Sequence, residues 1–411
     1  MKRISIIGST GSIGRSALQV IAALPGEFEV VGLAARKSVD IIEQQIYQFH
    51  PRQVALADEQ AAQILRKRLK AQTDVEVLSG MEGVIQIAAM EESDIVLLSL
   101  SSAGLLPTLK AIHAGKDIAF TNKEMLVMGG ALVMKAVEEH QVNLLPVDSE
   151  ISAIFQCLQG NRRPEDIKKL VLTASGGPFR QLPISEFATI TPERALQHPN
   201  WSMGAKITID SATMMNKGFE VIEAKWLFDV ELSQIEVIVH PESIIHSMVE
   251  FADGSWMAQL SVPDMRIPIQ YALTYPHRIP NSWDGAVHPD KDGTQLNLAN
   301  IGALTFEPLD LDKFPCLRLA LRAAQIGGTM PTVLSAADEI VVQAFLDGKI
   351  GFLDIHKIIE RVMSIRAERS DICAKPSRES GQRSGEFKLC PSLDDILAAD
   401  TWAKQVTETL I

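Results

Sequence analysis

Between positions 210 and 220 the chain reads DSATMMNKGFE, a run that carries a hydroxyl (Ser211), an amide (Asn216), an ammonium (Lys217) and a carboxylate (Glu220). Read as a loop entering a helix, the segment puts Asn216 and Glu220 four residues apart on one face. Met215, Phe219, Ile222 and Trp226 fall on a neighbouring stripe, which leaves the polar face free to look into a cleft. Neutral donors beside a cation suit a phosphate, and a carboxylate next to them suits a hard metal ion. An ordinary amphipathic helix with a solvated face is the plain alternative.

Two more acids stand at Asp148 and Glu150, either side of Ser149, where an apolar run ends. In extended chain they project to the same side. With Glu220 they offer three oxygen ligands to one divalent cation. A set of carboxylates without cysteine favours Mg²⁺ or Mn²⁺ over zinc, and Co²⁺ is compatible with it. Acids in such a place also cap helices. Ser175-Gly176-Gly177-Pro178 follows the apolar strand 170–173; its glycines permit close backbone approach, and the Ser175 hydroxyl can bond a phosphate oxygen. The run His198-Pro199-Asn200-Trp201-Ser202-Met203 is proline-interrupted and carries an indole. An exposed aromatic on such a loop suits a lid that excludes water, although a tryptophan equally suits a core.

Strand-like segments at 4–7, 28–33, 53–57, 94–98, 117–120 and 143–147, most of them separated by helical stretches, predict a parallel sheet covered by helices. The first strand runs into Gly8-Ser9-Thr10-Gly11-Ser12-Ile13-Gly14, then a helix with Ala17, Val20, Ile21 and Leu24 on one side. Glycines there allow a tight turn and let the backbone N–H groups of Thr10, Gly11, Ser12 and Ile13 approach a pyrophosphate at the helix N-terminus. The second strand selects the dinucleotide. NAD domains place an acid about twenty residues on, against the ribose 2′-hydroxyl. Here that place holds Arg36-Lys37-Ser38, two cations and a hydroxyl suited to the extra phosphate of NADPH.

With 411 residues the chain exceeds a single core and predicts two or three domains. Its net charge of −12 argues against a nucleic-acid partner, so an anionic substrate needs local cations. No window approaches the roughly 18 apolar residues of a membrane span. Met1-Lys2-Arg3 resembles the start of a signal peptide, but the apolar run after it breaks at Gly8 and has no cleavage site. Cys157, Cys316, Cys373 and Cys390 lack metal-type spacing and read as free thiols of a reducing compartment, which predicts a cytoplasmic protein. Asp253-Gly254 joins strand-like 247–251 and 255–260 as a hairpin, so the middle region reads as α+β.

In order along the chain, GSTGSIG at Gly8, NKE at Asn122, LLPVDSE at Leu144, SGGPF at Ser175, HPNWSMG at His198, DSATMMNKG at Asp210, HPESIIHSMV at His240 and PDMR at Pro263 resemble the 1-deoxy-D-xylulose 5-phosphate reductoisomerase family nearly end to end. The resemblance implies an NADPH- and metal-dependent rearrangement and reduction of a sugar phosphate, carried out by a homodimer. It implies an α/β fold: a Rossmann-like domain (1–147), an α+β catalytic and connective domain (148–276), a Pro/Gly/Asp-rich linker (277–299) and a C-terminal helical domain (300–411) with helical patterns at 317–324, 332–345 and 393–402. Asp148, Glu150 and Glu220 resemble its metal ligands. Ser175, Ser211, Asn216 and Lys217 resemble its phosphate and hydroxyl contacts, and Lys123 and Ser149 the residues that hold substrate beside the metal. His198, Trp201 and Met203 resemble its flap, with His198 also catalytic alongside Lys123, Glu150 and Lys217; Asn122, Glu124 and Gly204 resemble cofactor contacts, and His246 a further histidine near the site.

Three departures stand out. Ile151 follows the Asp-Ser-Glu motif where the family usually has histidine, and Met125 replaces a usual hydroxyl residue. The first substitution predicts weaker metal affinity or turnover, and in the alternative reading a silent NADPH-binding homologue. The segment 367–388, rich in Ser, Arg, Lys and Gly, reads as a flexible surface loop. A different NADP-linked dehydrogenase, such as a semialdehyde or homoserine enzyme, is the rival reading; it has no need of three carboxylates beside a Ser/Asn/Lys cradle.

Overall fold

A computed structural model of the chain describes residues 1–69, 74–100, 104–160, 163–201, 203–280, 296–368 and 391–411. Most of the expected linker, the segment 369–388, Cys373 and Cys390 lie outside the described residues.

Seven strands, β1 (Lys2–Ile7), β2 (Phe28–Ala35), β3 (Gln53–Leu56), β4 (Glu76–Ser79), β5 (Ile95–Leu98), β6 (Asp117–Phe120) and β7 (Leu144–Pro146), form one sheet in the order β4-β3-β2-β1-β5-β6-β7. All neighbours run parallel. Alternate side chains feed two apolar layers: Ile4, Ile6 and Leu33 on one face, Ile7, Val96 and Leu98 on the other. Burial on both faces is why these strands read as unbroken apolar runs. β4 escaped the sequence reading because EVLS is a short edge strand with polar ends. Because β1 lies between β2 and β5, the connections after β1 and β5 leave in opposite directions and open a crevice at the strands' carboxyl ends.

A second sheet combines β8 (Ile167–Ala174), β9 (Ile235–Val239), β10 (Ile245–Phe251), β11 (Trp256–Leu260) and β12 (Glu307–Pro308) in the order β11-β10-β8-β9-β12. β8 and β9 are parallel and the remaining pairs antiparallel, as an α+β region requires. The expected hairpin closes through Phe251 N–H donating to the Ser255 carbonyl at 2.9 Å. Helices Pro315–Ile326, Met330–Leu346, Phe352–Glu368 and Leu393–Leu410 pack on one another as the expected C-terminal bundle. A single apolar cluster runs from Leu172 of the second sheet through Phe219 to Leu317, Val341 and Ile359 of the bundle. Helix Arg266–Thr274 returns to the first sheet's core through Ile269, Ala272 and Leu273.

Candidate active site

Three elements deliver the acids. Helix Lys123–His140 starts directly after β6 and Asn122, and Lys123 occupies its first turn. β7 leads to Asp148, which precedes helix Ser149–Cys157 and caps none of its N–H groups. Asp148 and Glu150 therefore converge at a helix start and not along an extended strand. The 210–220 run also differs from a loop entering a helix. It is the end of helix Ala205–Thr213, a break at Met214 with φ +63°, and then helix Met215–Phe228. The left-handed break turns the second helix so that Met215, Phe219 and Ile222 enter the core while Asn216 and Glu220 face the cleft. Asn216 Nδ2 donates to Glu220 Oε1 at 2.7 Å, as their spacing requires.

One oxygen from each of Asp148, Glu150 and Glu220 lies within 4.8 Å of the other two, and no other such group of potential ligands occurs among the described residues. The Lys123 Nζ lies 2.5 Å from Asp148 Oδ2 and 3.1 Å from Glu220 Oε1, and donates to Asn216 Oδ1 at 2.9 Å. Lys217 Nζ reaches Glu150 Oε1 at 2.8 Å and also bonds Glu220 Oε2. Ser149 Oγ donates to Glu150 Oε2 at 2.5 Å. Burial opposes the charge of Glu150, but Lys217 and Ser149 overcome it and hold the carboxyl below the usual range. Burial and the charge of Glu150 push Glu220 up to about 7. Burial likewise opposes the Lys123 ammonium, and Asp148 and Glu220 more than offset it. Asp148 Oδ1 is buried without a hydrogen-bond partner. Hard oxygens in this number, one of them unsatisfied, fit a six-coordinate cation such as Mg²⁺ or Mn²⁺ that keeps some water or takes substrate oxygens.

Across the cleft, Gly176 (φ +83°) and Gly177 (φ +64°) turn the loop after β8 so that Ser175 faces in. Its Oγ accepts from Gly177 N–H at 3.2 Å and lies 3.1 Å from His198 Nε2. The Asn200 and Trp201 amides donate to His198 Nδ1 at 3.2 and 3.0 Å. Since Nδ1 accepts, a neutral ring carries its proton on Nε2 and donates it to Ser175. Burial lowers His198 to about 4, against the pull of Glu150, so the neutral ring prevails at pH 7. The Trp201 ring lies 6.3 Å from that of His246.

A cavity of about 1060 Å³ contains all of this. It joins the acids, Ser149, Ser175, His198, Trp201, Met203, Ser211, Asn216 and Lys217 to Gly11, Ser12, Ile13, Asn122, Glu124 and Gly204. The dinucleotide turn is tightly built: a Cβ at Gly14 would fall 2.3 Å from the Gly8 carbonyl oxygen, so the helix can start hard against the strand. Thr10, Arg36, Lys37 and Ser38 do not line the cavity; Arg36 and Lys37 are exposed at the end of β2. Two of the departures lie away from the cleft. Ile151 is fully buried in the apolar cluster with Ile154 and Leu172, and Met125 lies in the other core with Leu126 and Phe120. Neither lines the cleft, so Ile151 is no ground for a weakened or silent homologue. Lys206 and the Asp264–Arg266 pair line the cleft and escaped the sequence reading. Lys206 and Asp210 were legible as an i,i+4 pair, but their third member, Asp338, lies over a hundred residues on.

A dinucleotide sheet whose crevice opens onto three converging carboxylates defines the class: a nucleotide-dependent oxidoreductase with a divalent-metal site. Family models described as 1-deoxy-D-xylulose 5-phosphate reductoisomerase match residues 4–130, as its C-terminal domain 144–228, and as DXP reductoisomerase C-terminal domain 260–406. The 1-deoxy-D-xylulose 5-phosphate reductoisomerase of Chlorobium phaeobacteroides is 49% identical over 411 residues, covering 100% of both chains. That of Pelotomaculum thermopropionicum is 48% identical over 407 residues, covering 99% of this chain and 97% of its own. A crystal structure of DOX-P reductoisomerase with NADPH, fosmidomycin and magnesium superposes with a TM-score of 0.88 at 40% identity, covering 100% of this chain and 98% of that one. The Zymomonas mobilis enzyme in complex with NADPH gives 0.85 at 39% identity, with the same coverage. The chain belongs to the 1-deoxy-D-xylulose 5-phosphate reductoisomerase family.

Proposed function

We infer that the protein converts 1-deoxy-D-xylulose 5-phosphate to 2-C-methyl-D-erythritol 4-phosphate with NADPH and a divalent cation, a step of non-mevalonate isoprenoid synthesis. The observation that carries this reading is the convergence of Asp148, Glu150 and Glu220 within 4.8 Å, inside the cavity that also holds the dinucleotide turn. Bound there, Mg²⁺ or Mn²⁺ supplies Lewis acidity to carbonyl and hydroxyl oxygens, and NADPH supplies hydride.

The chain's own residues do the rest. Lys217, Asn216, Ser175 and Ser211 hold the substrate phosphate, so binding energy remote from the reacting carbons fixes their position. Lys123 and Ser149 hold the substrate's oxygens beside the acids to which they already bond. The His198 Nε2–H is a ready donor on the phosphate side, and Trp201 and Met203 flank it to keep water out. Gly11, Ser12 and Ile13 bind the pyrophosphate, while Asn122, Glu124 and Gly204 border the nicotinamide end. Arg36 and Lys37, exposed beyond β2, and the half-buried Ser38 receive the 2′-phosphate of NADPH. The working form is a homodimer: edge strand β11 exposes Trp256 and Met257, an apolar edge that a second copy would cover.

The test is NADPH oxidation, followed optically, on adding 1-deoxy-D-xylulose 5-phosphate with Mg²⁺ or Mn²⁺. Turnover that stops with chelator and returns with metal is expected. Absence of oxidation with either metal would end the assignment. Sedimentation of wild type against Trp256→Lys checks the dimer, which the variant should weaken.

A further inference from the structure

Helix Ala205–Thr213 carries Lys206 in its first turn, where the helix dipole disfavours a cation and no acid precedes it. The ammonium is nevertheless held there, 2.5 Å from Asp210 Oδ2 on the same helix and 2.7 Å from Asp338 Oδ2 of helix Met330–Leu346. Asp338 is fully buried, and the second oxygen of each carboxylate is buried without a partner. The Nζ also sits 5.2 Å from the centre of the Phe219 ring, on the helix that carries Asn216, Lys217 and Glu220. One ammonium therefore ties together three things: the head of the 210–220 run, Phe219 near its far end, and the C-terminal bundle. A cluster with two acids for one base and two orphaned oxygens is a poor device for stability alone, since well-packed apolar residues commonly match or exceed buried ion pairs.

We propose that Lys206, anchored by Asp338, is a positioning residue that sets the substrate-holding segment against the cleft, so that the C-terminal bundle takes part in substrate recognition. The geometry works through Asp210. Fixing its carboxylate fixes the last turn of helix Ala205–Thr213, where Ser211 lies, and hence the left-handed break at Met214 that aims Asn216 and Lys217. Phe219, held beneath the same ammonium, fixes the second helix one turn further on. The pyrophosphate turn at residues 11–13 opens helix Ser12–Ala23 and shares no residue with this cluster; of the proposed nicotinamide-end contacts, Gly204 directly precedes the Lys206 helix and the charge of Glu124 reaches Lys206. The proposal rests on the reaction assigned above for its substrate, but its geometry is independent of turnover.

Asp338→Asn is the decisive variant, because Asp338 does not line the cleft and cannot touch substrate. We expect the KM for 1-deoxy-D-xylulose 5-phosphate to rise about tenfold, as small misplacements of binding groups do. The calorimetric Kd for NADPH should stay within about twofold, a ratio worth less than 0.5 kcal/mol. Lys206→Arg, which keeps the charge, should stay near wild type. The charge-balanced pair Lys206→Met with Asp338→Asn should reproduce the KM defect and guards against misfolding from uncompensated acids. An unchanged substrate KM in Asp338→Asn would overturn the proposal, as would NADPH binding that weakens in step with it, the mark of general loosening. Inorganic phosphate titrated calorimetrically into the NADPH complex reads the same geometry without chemistry. A wild type that failed to oxidise NADPH would therefore sink the assigned reaction and leave this proposal still decided by the phosphate titration.

Discussion

Replacing Gly177 with alanine separates two costs that usually come together. At φ +64° the residue sits in the left-handed region, where a side chain costs about 1–2 kcal/mol. In addition, the new Cβ would fall 2.9 Å from the Ser211 carbonyl oxygen and 3.3 Å from Ala212 Cα. Carbon and carbonyl oxygen settle at about 3.3–3.6 Å, so the loop and the helix end must part by roughly 0.5 Å. Those two pieces of backbone carry Ser175 and Ser211, which line the cavity and which we propose face each other across the substrate phosphate. Such a displacement is expected to lower kcat/KM about 10- to 100-fold, or about 1.4–2.7 kcal/mol of transition-state stabilisation. The control is Gly254→Ala: φ is +85°, nothing lies within 4 Å of the added Cβ, and the hairpin turn does not line the cavity. Denaturant unfolding should register a loss of similar order for both variants, while NADPH-oxidation kinetics should fall only for Gly177→Ala. A Gly177→Ala enzyme with kcat/KM near wild type would refute the proposal that this loop and the helix end gauge the phosphate between them.

Other expectations follow from the same geometry. Ile151→His should lower stability by about 1–3 kcal/mol by burying an imidazole in the apolar cluster; a Mn²⁺ titration should show affinity unchanged, and a gain would restore the sequence-based expectation. His198 should titrate near 4 by NMR, against 6.5 for its free counterpart. The unfolded chain then binds more protons between those values, so this group's contribution to stability is complete above 6.5 and is lost as pH falls toward 4. A midpoint above 6 would contradict the buried neutral ring. Gly218→Ala sets its Cβ 2.5 Å from that of Ala320, forcing helix Met215–Phe228 off helix Pro315–Ile326 at a cost of about 1–3 kcal/mol. Ala320→Gly in the same chain should recover much of it, and strict additivity of the two changes would refute the close crossing.

What the sequence disclosed depended on whether an interaction was local. The apolar strands and the glycine turn at residues 8–14 were legible because period, burial and turn chemistry all act within a few residues. The acids were legible as ligand types and were grouped on that ground, a grouping the resemblance repeated, although no local pattern brings Glu220 to Asp148 and Glu150. Their actual approach, through a helix start and a left-handed break at Met214, was not legible, because methionine carries no signal for that conformation. Ile151 illustrates the opposite error. Its neighbour faces the cleft, yet one residue along a helix turns a side chain by about 100°, here into the core. Helix Phe352–Glu368 went unnoticed because its apolar positions are diluted by charge; it shows its buried face only once Ile355, Ile359 and Val362 meet the bundle.

The uninterrupted apolar cluster from Leu172 to Ile359 bears on how this enzyme could be taken apart. The C-terminal helices are no detachable module, because removing them would strip one wall from the interior against which helix Met215–Phe228 packs. Chimeras with related enzymes should therefore exchange everything from the second sheet onward as one block, and a graft of the helices alone should yield insoluble protein.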